Sequence, residues 1–311
     1  MVSTFDTASG QVDMCRHLGY VGPPVPVGEL LVRGPYSLRV QSWAPRQMRG
    51  GGTINADGFG VAWWRTAEPA VDGGEPAVSR YRNPTPIWTD PAVEEVLPQL
   101  VSPAVLAAVR SATVGMPVER AACAPFAYGH WAFSHNGLVP DWRTVLTAVL
   151  ADLDGTATRS GHTRLFQTLD LLEAESPTDS AALWVLLRRL LDPVAATATA
   201  GLSDIPADPT AVALRLLVTT VLRHAPDSGL NLLLGDGDTL WATTWFHTLW
   251  ALVTDDYAIL ASEPYDDDPR WQSLPDRSVV RAEPGRLVVE PLDSPDSARP
   301  DAGARTERAA R

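Results

Sequence analysis

Residues 230–244 read LNLLLGDGDTLWATT, two apolar runs on either side of Gly235-Asp236-Gly237-Asp238. Glycine adopts the positive φ that tight turns require, and aspartate accepts hydrogen bonds from turn amides. The stretch therefore predicts an antiparallel β-hairpin over 230–234 and 240–244. The pattern continues downstream, with short apolar runs at 249–253, 258–261, 278–281 and 286–290. An earlier batch lies at 38–43, 60–64, 105–110 and 131–134. Between the two batches the period becomes helical, predicting helices over 142–153, 164–172, 179–191 and 210–224, with one more at 91–100. Ser176-Pro177-Thr178-Asp179 supplies capping residues for the 179–191 helix. Two batches of strands around a helical block are not a βαβ alternation. They predict an α+β fold with helices layered on antiparallel sheets. No Gly-x-Gly-x-x-Gly follows a strand, so a dinucleotide site is not expected.

Composition narrows the chemistry further. The chain has 311 residues, of which 45% are hydrophobic and 20% charged, enough to bury a large core. Its net charge of −12 argues against nucleic acid as a partner. No apolar run approaches the roughly 20 residues needed to span a bilayer, so no membrane association is expected. All 25 basic residues are arginine, which excludes phosphate-loop, Schiff-base and Ser–Lys chemistry that needs a lysine. Two cysteines, Cys15 and Cys123, form neither a disulfide framework nor a zinc spacing. The first fourteen residues, MVSTFDTASGQVDM, are too polar for a signal peptide, and the expected compartment is the cytosol. Three stretches carry no sustained period: 1–14, 193–209 and 293–311. One domain is expected over 15–292, followed by a disordered tail over 293–311.

Five small constellations could carry chemistry. Cys15 follows Met14, so removal of that methionine would leave a terminal cysteine. Such a residue holds a nucleophilic thiol and, in its α-amine of pKa about 7.7–8.0, a general base. The six histidines suggest no triad. Ser134-His135-Asn136-Gly137 ends a strand, either as an ordinary turn or as an oxyanion hole made of the Asn136 side chain and the Gly137 amide. Arg110 closes an apolar strand and precedes Ser111, Ala112 and Thr113. It suits either bidentate capture of a carboxylate or an edge-strand salt bridge. Asp179 is either a helix cap or a partner for an ammonium group. Asn55-Ala56-Asp57-Gly58 reads as a turn into the 60–64 strand.

In this order the five resemble the class II glutamine amidotransferases of the N-terminal-nucleophile hydrolase superfamily. The blocks MCRHLGY (14–20), QSWAPR (41–46), NADGFGVAWW (55–64), AAVRSATVGMPVE (107–119), HWAFSHNGLV (130–139), ESPTDSAALW (175–184), WATTW (241–245) and LASEPYDDDPRW (260–271) are similar to its ergothioneine-biosynthesis branch, the γ-glutamyl hercynylcysteine sulfoxide amidohydrolases. The resemblance implies a four-layer α/β/β/α sandwich of two antiparallel sheets. It also implies hydrolysis of a small-molecule γ-glutamyl amide through a thioester on Cys15, with no metal or organic cofactor and no obligatory synthase domain. Asn136 and Gly137 would form the oxyanion hole. Arg110, with backbone around Ser111 and Thr113, would bind the glutamyl α-carboxylate, and Asp179 its α-ammonium.

The branch's leaving group carries a trimethylammonium, a carboxylate and an imidazole. Tyr265, Asp266, Asp267, Asp268 and Trp271, with Trp43, offer the aromatic and anionic groups that a quaternary ammonium favours; the same residues could equally be a solvated acidic turn. The chemistry requires a free amine on Cys15, so the leader 1–14 is expected to be absent from, or removed in, the mature protein. Cys123 is expected to be inert packing. Two other functions stay open: a glutaminase subunit supplying ammonia to a separate synthase, and a non-catalytic sensor of a γ-glutamyl metabolite.

Overall fold

The computed structural model describes residues 15–47, 54–65, 78–159, 166–192 and 208–292. The leader 1–14, the tail 293–311 and residues 193–207 of the aperiodic stretch lie outside these. Six strands come first: β1 (Arg16–Pro26), β2 (Phe59–Trp64), β3 (Val78–Asn83), β4 (Val101–Val109), β5 (Phe126–Tyr128) and β6 (Trp131–Asn136). Three short helices lie among them, α1 (Val27–Val32), α2 (Leu38–Gln41) and α3 (Ala92–Glu95). The helical block follows as α4 (Trp142–Arg159), α5 (Asp179–Leu190) and α6 (Pro209–His224). Then come β7 (Asn231–Gly235), β8 (Leu240–Thr244), β9 (Trp250–Val253), β10 (Ala258–Ala261), β11 (Gln272–Ser273), β12 (Ser278–Glu283) and β13 (Arg286–Pro291).

The strands form two antiparallel sheets, ordered β11-β9-β10-β1-β4-β2-β3 and β13-β12-β8-β7-β6-β5. Three apolar layers make the stack. Leu18 and Tyr20 of β1 pack with Val27, Leu30 and Leu31 of α1 outside the first sheet. Val21, Leu106 and Leu260 meet Leu233, Leu240 and Val280 between the sheets. Phe133 and Leu234 pack against α4, α5 and α6 outside the second. The arrangement is an α/β/β/α sandwich. The hairpin over 230–244 stands as read, with Gly235 opposite Leu240 and Asp236 Oδ1 accepting from the amides of Asp238 and Thr239.

Some expectations are corrected. Residues 38–43 are not a strand, because the Ser37 hydroxyl caps Val40 N–H and starts the helix α2, which buries Leu38 and Gln41 one turn apart. The 91–100 helix stops after Glu95, and a 3₁₀ turn carrying Pro98 follows. The described part of 164–172 is a 3₁₀ segment, Thr168–Glu173, closed by a Gln167–Asp170 capping box. Strand β1 was not anticipated, although it lies at the centre of the first sheet. Its prolines and glycines break the alternation, yet Gly19 packs under the Leu240 side chain of the facing sheet: a Cβ there would meet it at 2.9 Å.

Candidate active site

Cys15 directly precedes β1, and β1 lies between β10 and β4. Arg16 pairs with Val109, so the start of β1 meets the end of β4, where Arg110 and Ser111 follow. The half-buried Cys15 thiol donates to Ser111 O across 3.7 Å. Arg110 is buried, its amide donating to Gly58 O at 2.8 Å and its Nη1 to Pro117 O at 2.9 Å. Asp57 Oδ2 accepts from Ala112 N–H at 2.8 Å, so the Asn55–Gly58 turn fixes the loop carrying Ser111. Gly58, at φ +124°, lies where a Cβ would come 2.4 Å from Cys123 Sγ. Burial pushes the Cys123 thiol up to about 11, so it is protonated at neutral pH.

Alternation sets which side chains face the site. Ala132 of β6 packs between the sheets while Phe133 packs against the helices, so Asn136 points between the sheets and His135 toward the helices. Val21 of β1 also packs between the sheets, which puts His17, and Cys15 before it, on that side. The Asn136 side chain is 0% exposed, and neither its amide nitrogen nor its oxygen has a partner among the described residues. A buried polar group without a partner is costly and points to a role. Gly137 follows with φ +152°, tight against Gly229 O.

Asp179 is held in place by α5, whose Leu183, Leu186, Leu187 and Leu190 are fully buried and stabilise the helix by about 1.5–3 kcal/mol each. Its carboxylate accepts from Val139 N–H at 3.0 Å and from Ser180 N–H at 2.8 Å. Thr178, not Asp179, is the helix cap, bonding Ala181 N–H. His135 joins the two ends of this arrangement, with Nδ1 3.0 Å from Ser180 Oγ and Nε2 2.9 Å from Gly229 O. Sequence reasoning gave His135 no separate role; its alternation within the strand was the available signal. His17 is buried beside His135, His247 and Arg16. Its pKa falls to about 3, chiefly through burial, so the ring is neutral.

The acidic loop after β10 is divided. Asp266, Asp267, Asp268 and Trp271 line a cavity of about 250 Å³, facing Arg46, Gln47 and Trp250. Tyr265 does not line it. It is 3% exposed and packed edge-on against Trp271 in the layer under α1. Trp43 is also elsewhere, edge-on to Trp88. The carboxylates are partly spoken for: Asp268 is held at about 2 by hydrogen bonds from Arg270, and Asp267 lies 3.6 Å from Arg46. Asp266 accepts from Trp271 Nε1 at 2.8 Å. Among the described residues, no group of three or more His, Cys, Asp or Glu is placed to hold a metal ion, and no helix is long and apolar enough to cross a membrane.

The profile of the class II glutamine amidotransferases matches residues 34–305. A γ-glutamyl-hercynylcysteine sulfoxide hydrolase of Mycolicibacterium smegmatis is 38% identical over 280 residues, 90% of this chain and 100% of that one. Its namesake in Mycobacterium tuberculosis strain H37Rv is 40% identical over 280 residues, covering 90% and 97%. A class II glutamine aminotransferase domain protein from Silicibacter pomeroyi superposes with a TM-score of 0.52 at 22% identity, over 90% of this chain and all of that one, a likeness of fold. The chain belongs to the class II glutamine amidotransferase family.

Proposed function

We propose that this protein is a γ-glutamyl-hercynylcysteine sulfoxide hydrolase that releases glutamate and hercynylcysteine sulfoxide. The observation that carries the reading is the meeting of Cys15 with Arg110 and Ser111 where β1 begins and β4 ends, in a chain 38–40% identical to hydrolases of that name. In the mature protein, without the leader 1–14, the Cys15 α-amine takes the thiol proton. The thiolate then attacks the γ-carbonyl carbon. Asn136 Nδ2 and the Gly137 amide donate to the resulting oxyanion. Collapse breaks the C–N bond, the amine leaves with the proton, and water hydrolyses the thioester to glutamate. Arg110 pairs with the glutamyl α-carboxylate, with backbone around Ser111 and Thr113 beside it, and Asp179 pairs with the α-ammonium. The cavity lined by Asp266, Asp267, Asp268 and Trp271 takes the trimethylammonium end of the leaving group. The domain is 15–292, acting in the cytoplasm without a synthase partner.

Intact-mass measurement and one rate comparison test the reading. Active enzyme should begin at Cys15, gain one thioether adduct from a diazo-ketone glutamine analogue with loss of N2, and cleave the hercynyl conjugate faster than glutamine. Preferential cleavage of glutamine would make it an ammonia-supplying subunit. An inactive chain retaining residues 1–14 would make it a sensor.

A further inference from the structure

Arg16 follows the nucleophile but points to the opposite face of β1, the side covered by α1 and α2. Its side chain is 0% exposed, and Nη2 donates to Gln47 O at 2.5 Å. Ser262 N–H donates to His17 O and His17 N–H to Ser262 Oγ, so the pairing of β1 with β10 runs on past Ala261 and carries Glu263 toward Arg16. Glu263 is 1% exposed. Its Oε2 accepts from Gln47 N–H at 2.7 Å and Arg46 N–H at 3.0 Å. Two successive amides of one dipeptide are thus bonded to a buried carboxylate, and its second carbonyl to a buried guanidinium.

Burying two charges costs several kcal/mol per ion unless further bonds satisfy them. Such a pair is an expensive way to hold a surface segment, so what the segment does matters. Arg46 and Gln47 form one wall of the cavity described above. The Arg46 guanidinium lies over the Tyr36 ring at 3.8 Å, and Gln47 Oε1 accepts from Trp250 Nε1 at 2.8 Å. Glu263 itself lines the cavity, and Pro264, Asp266, Asp267 and Asp268 follow it along the chain. One carboxylate therefore ties Arg46 and Gln47 to the strand end from which the acidic part of the lining continues.

We propose that Arg16 and Glu263 are positioning residues for leaving-group selectivity: by clamping Arg46-Gln47 they fix the width of the cavity that the reading above assigns to the leaving group. The inference rests on the substrate reading above for the identity of the occupant. Among the described residues no hydrogen bond or ion pair joins Glu263 to Arg110, Ser111, Thr113 or Asp179, so a small leaving group such as ammonia is indifferent to its loss.

The test uses the full mature protein and Glu263→Gln, which replaces one of the two acceptor oxygens with a donor. Two bonds to a charged group are lost or weakened, so KM for the hercynyl conjugate should rise about tenfold or more. The kcat for the conjugate and kcat/KM for glutamine should stay within about twofold. Trypsin supplies a direct readout, because the clamped peptide follows Arg46: cleavage of the Arg46–Gln47 bond should accelerate about tenfold or more in the variant. Equal losses on both substrates, or unchanged tryptic protection, overturn the proposal. Should E263Q fail to fold, Arg16→Lys keeps the charge but loses the planar fork, and the same two readouts apply to it. A wild-type enzyme with no preference for the conjugate sinks the substrate reading instead, and the tryptic arm still decides whether the pair holds the segment.

Discussion

Gly137→Ala gives the sharpest test of the oxyanion turn. A Cβ at this position would lie 2.0 Å from Gly229 O, 2.5 Å from Gly229 C and 2.9 Å from His135 Nε2. Two of these three atoms are backbone, and the Gly229 carbonyl is further fixed by the bond to His135. No rotamer change relieves the contact. Ordinary carbon–oxygen contact needs about 3.3 Å, so the turn must shift by roughly 1 Å, and φ +152° adds strain for an alanine. The expected cost is about 2–4 kcal/mol of stability, or a Tm lower by about 5–10 °C. The catalytic cost is larger, because a displacement of that size at a reacting centre costs about 10²-fold and a lost oxyanion donor about 10²–10³-fold. Steady-state kcat on the hercynyl conjugate and differential scanning calorimetry measure the two effects separately. Gly285→Ala is the control: φ is +74° but nothing lies within 4 Å, so it should lose about 1 kcal/mol and keep full kcat. A Gly137→Ala enzyme with kcat within threefold of wild type would refute the assignment of the oxyanion hole.

Asn136→Ala should lower kcat by about 10²–10³ with Tm almost unchanged, since the side chain has no hydrogen bond among the described residues to lose; a fall in Tm with kcat intact would mean that the residue is structural. Asp179→Asn should raise KM for every γ-glutamyl substrate about tenfold or more while costing about 1 kcal/mol, because the amide can accept from only one of Val139 and Ser180 with its single oxygen; unchanged KM would reduce Asp179 to a helix-start fixture. His17 makes the protein acid-sensitive. The unfolded ring binds a proton near pH 6.5 and the folded ring only near 3, so stability is lost as pH falls through that window, by about 2 kcal/mol between pH 7 and pH 5. His17→Leu should flatten urea-unfolding stability over this range, and parallel curves for the two proteins would contradict the buried neutral ring.

The second batch of strands was readable because each run is short, alternating and closed by turn residues, as Gly235 to Asp238 show. Strand β1 was not, because Gly19, Gly22, Pro23 and Pro24 imitate a loop and only the packing of Leu240 against Gly19 explains why glycine is needed in a strand. Leu38 and Val40 imitate a strand, and the Ser37 cap decides for a helix within one turn. Asn136, Gly137, Arg110 and Asp57 were legible as small motifs whose local geometry is set by their neighbours. Contacts such as Glu263 with Gln47, 216 positions apart, are invisible to any local pattern. Tyr265 shows the same limit: one residue's difference along the loop separates the cavity lining at Asp266 from the layer beneath α1.

Cys15 leads into one sheet and the Asn136–Gly137 turn leaves the other, and a layer of side chains packs between the two. Heat should therefore silence and melt this enzyme together. Its residual-activity curve and its calorimetric transition should superimpose, with no temperature range in which a folded sandwich has already lost its chemistry.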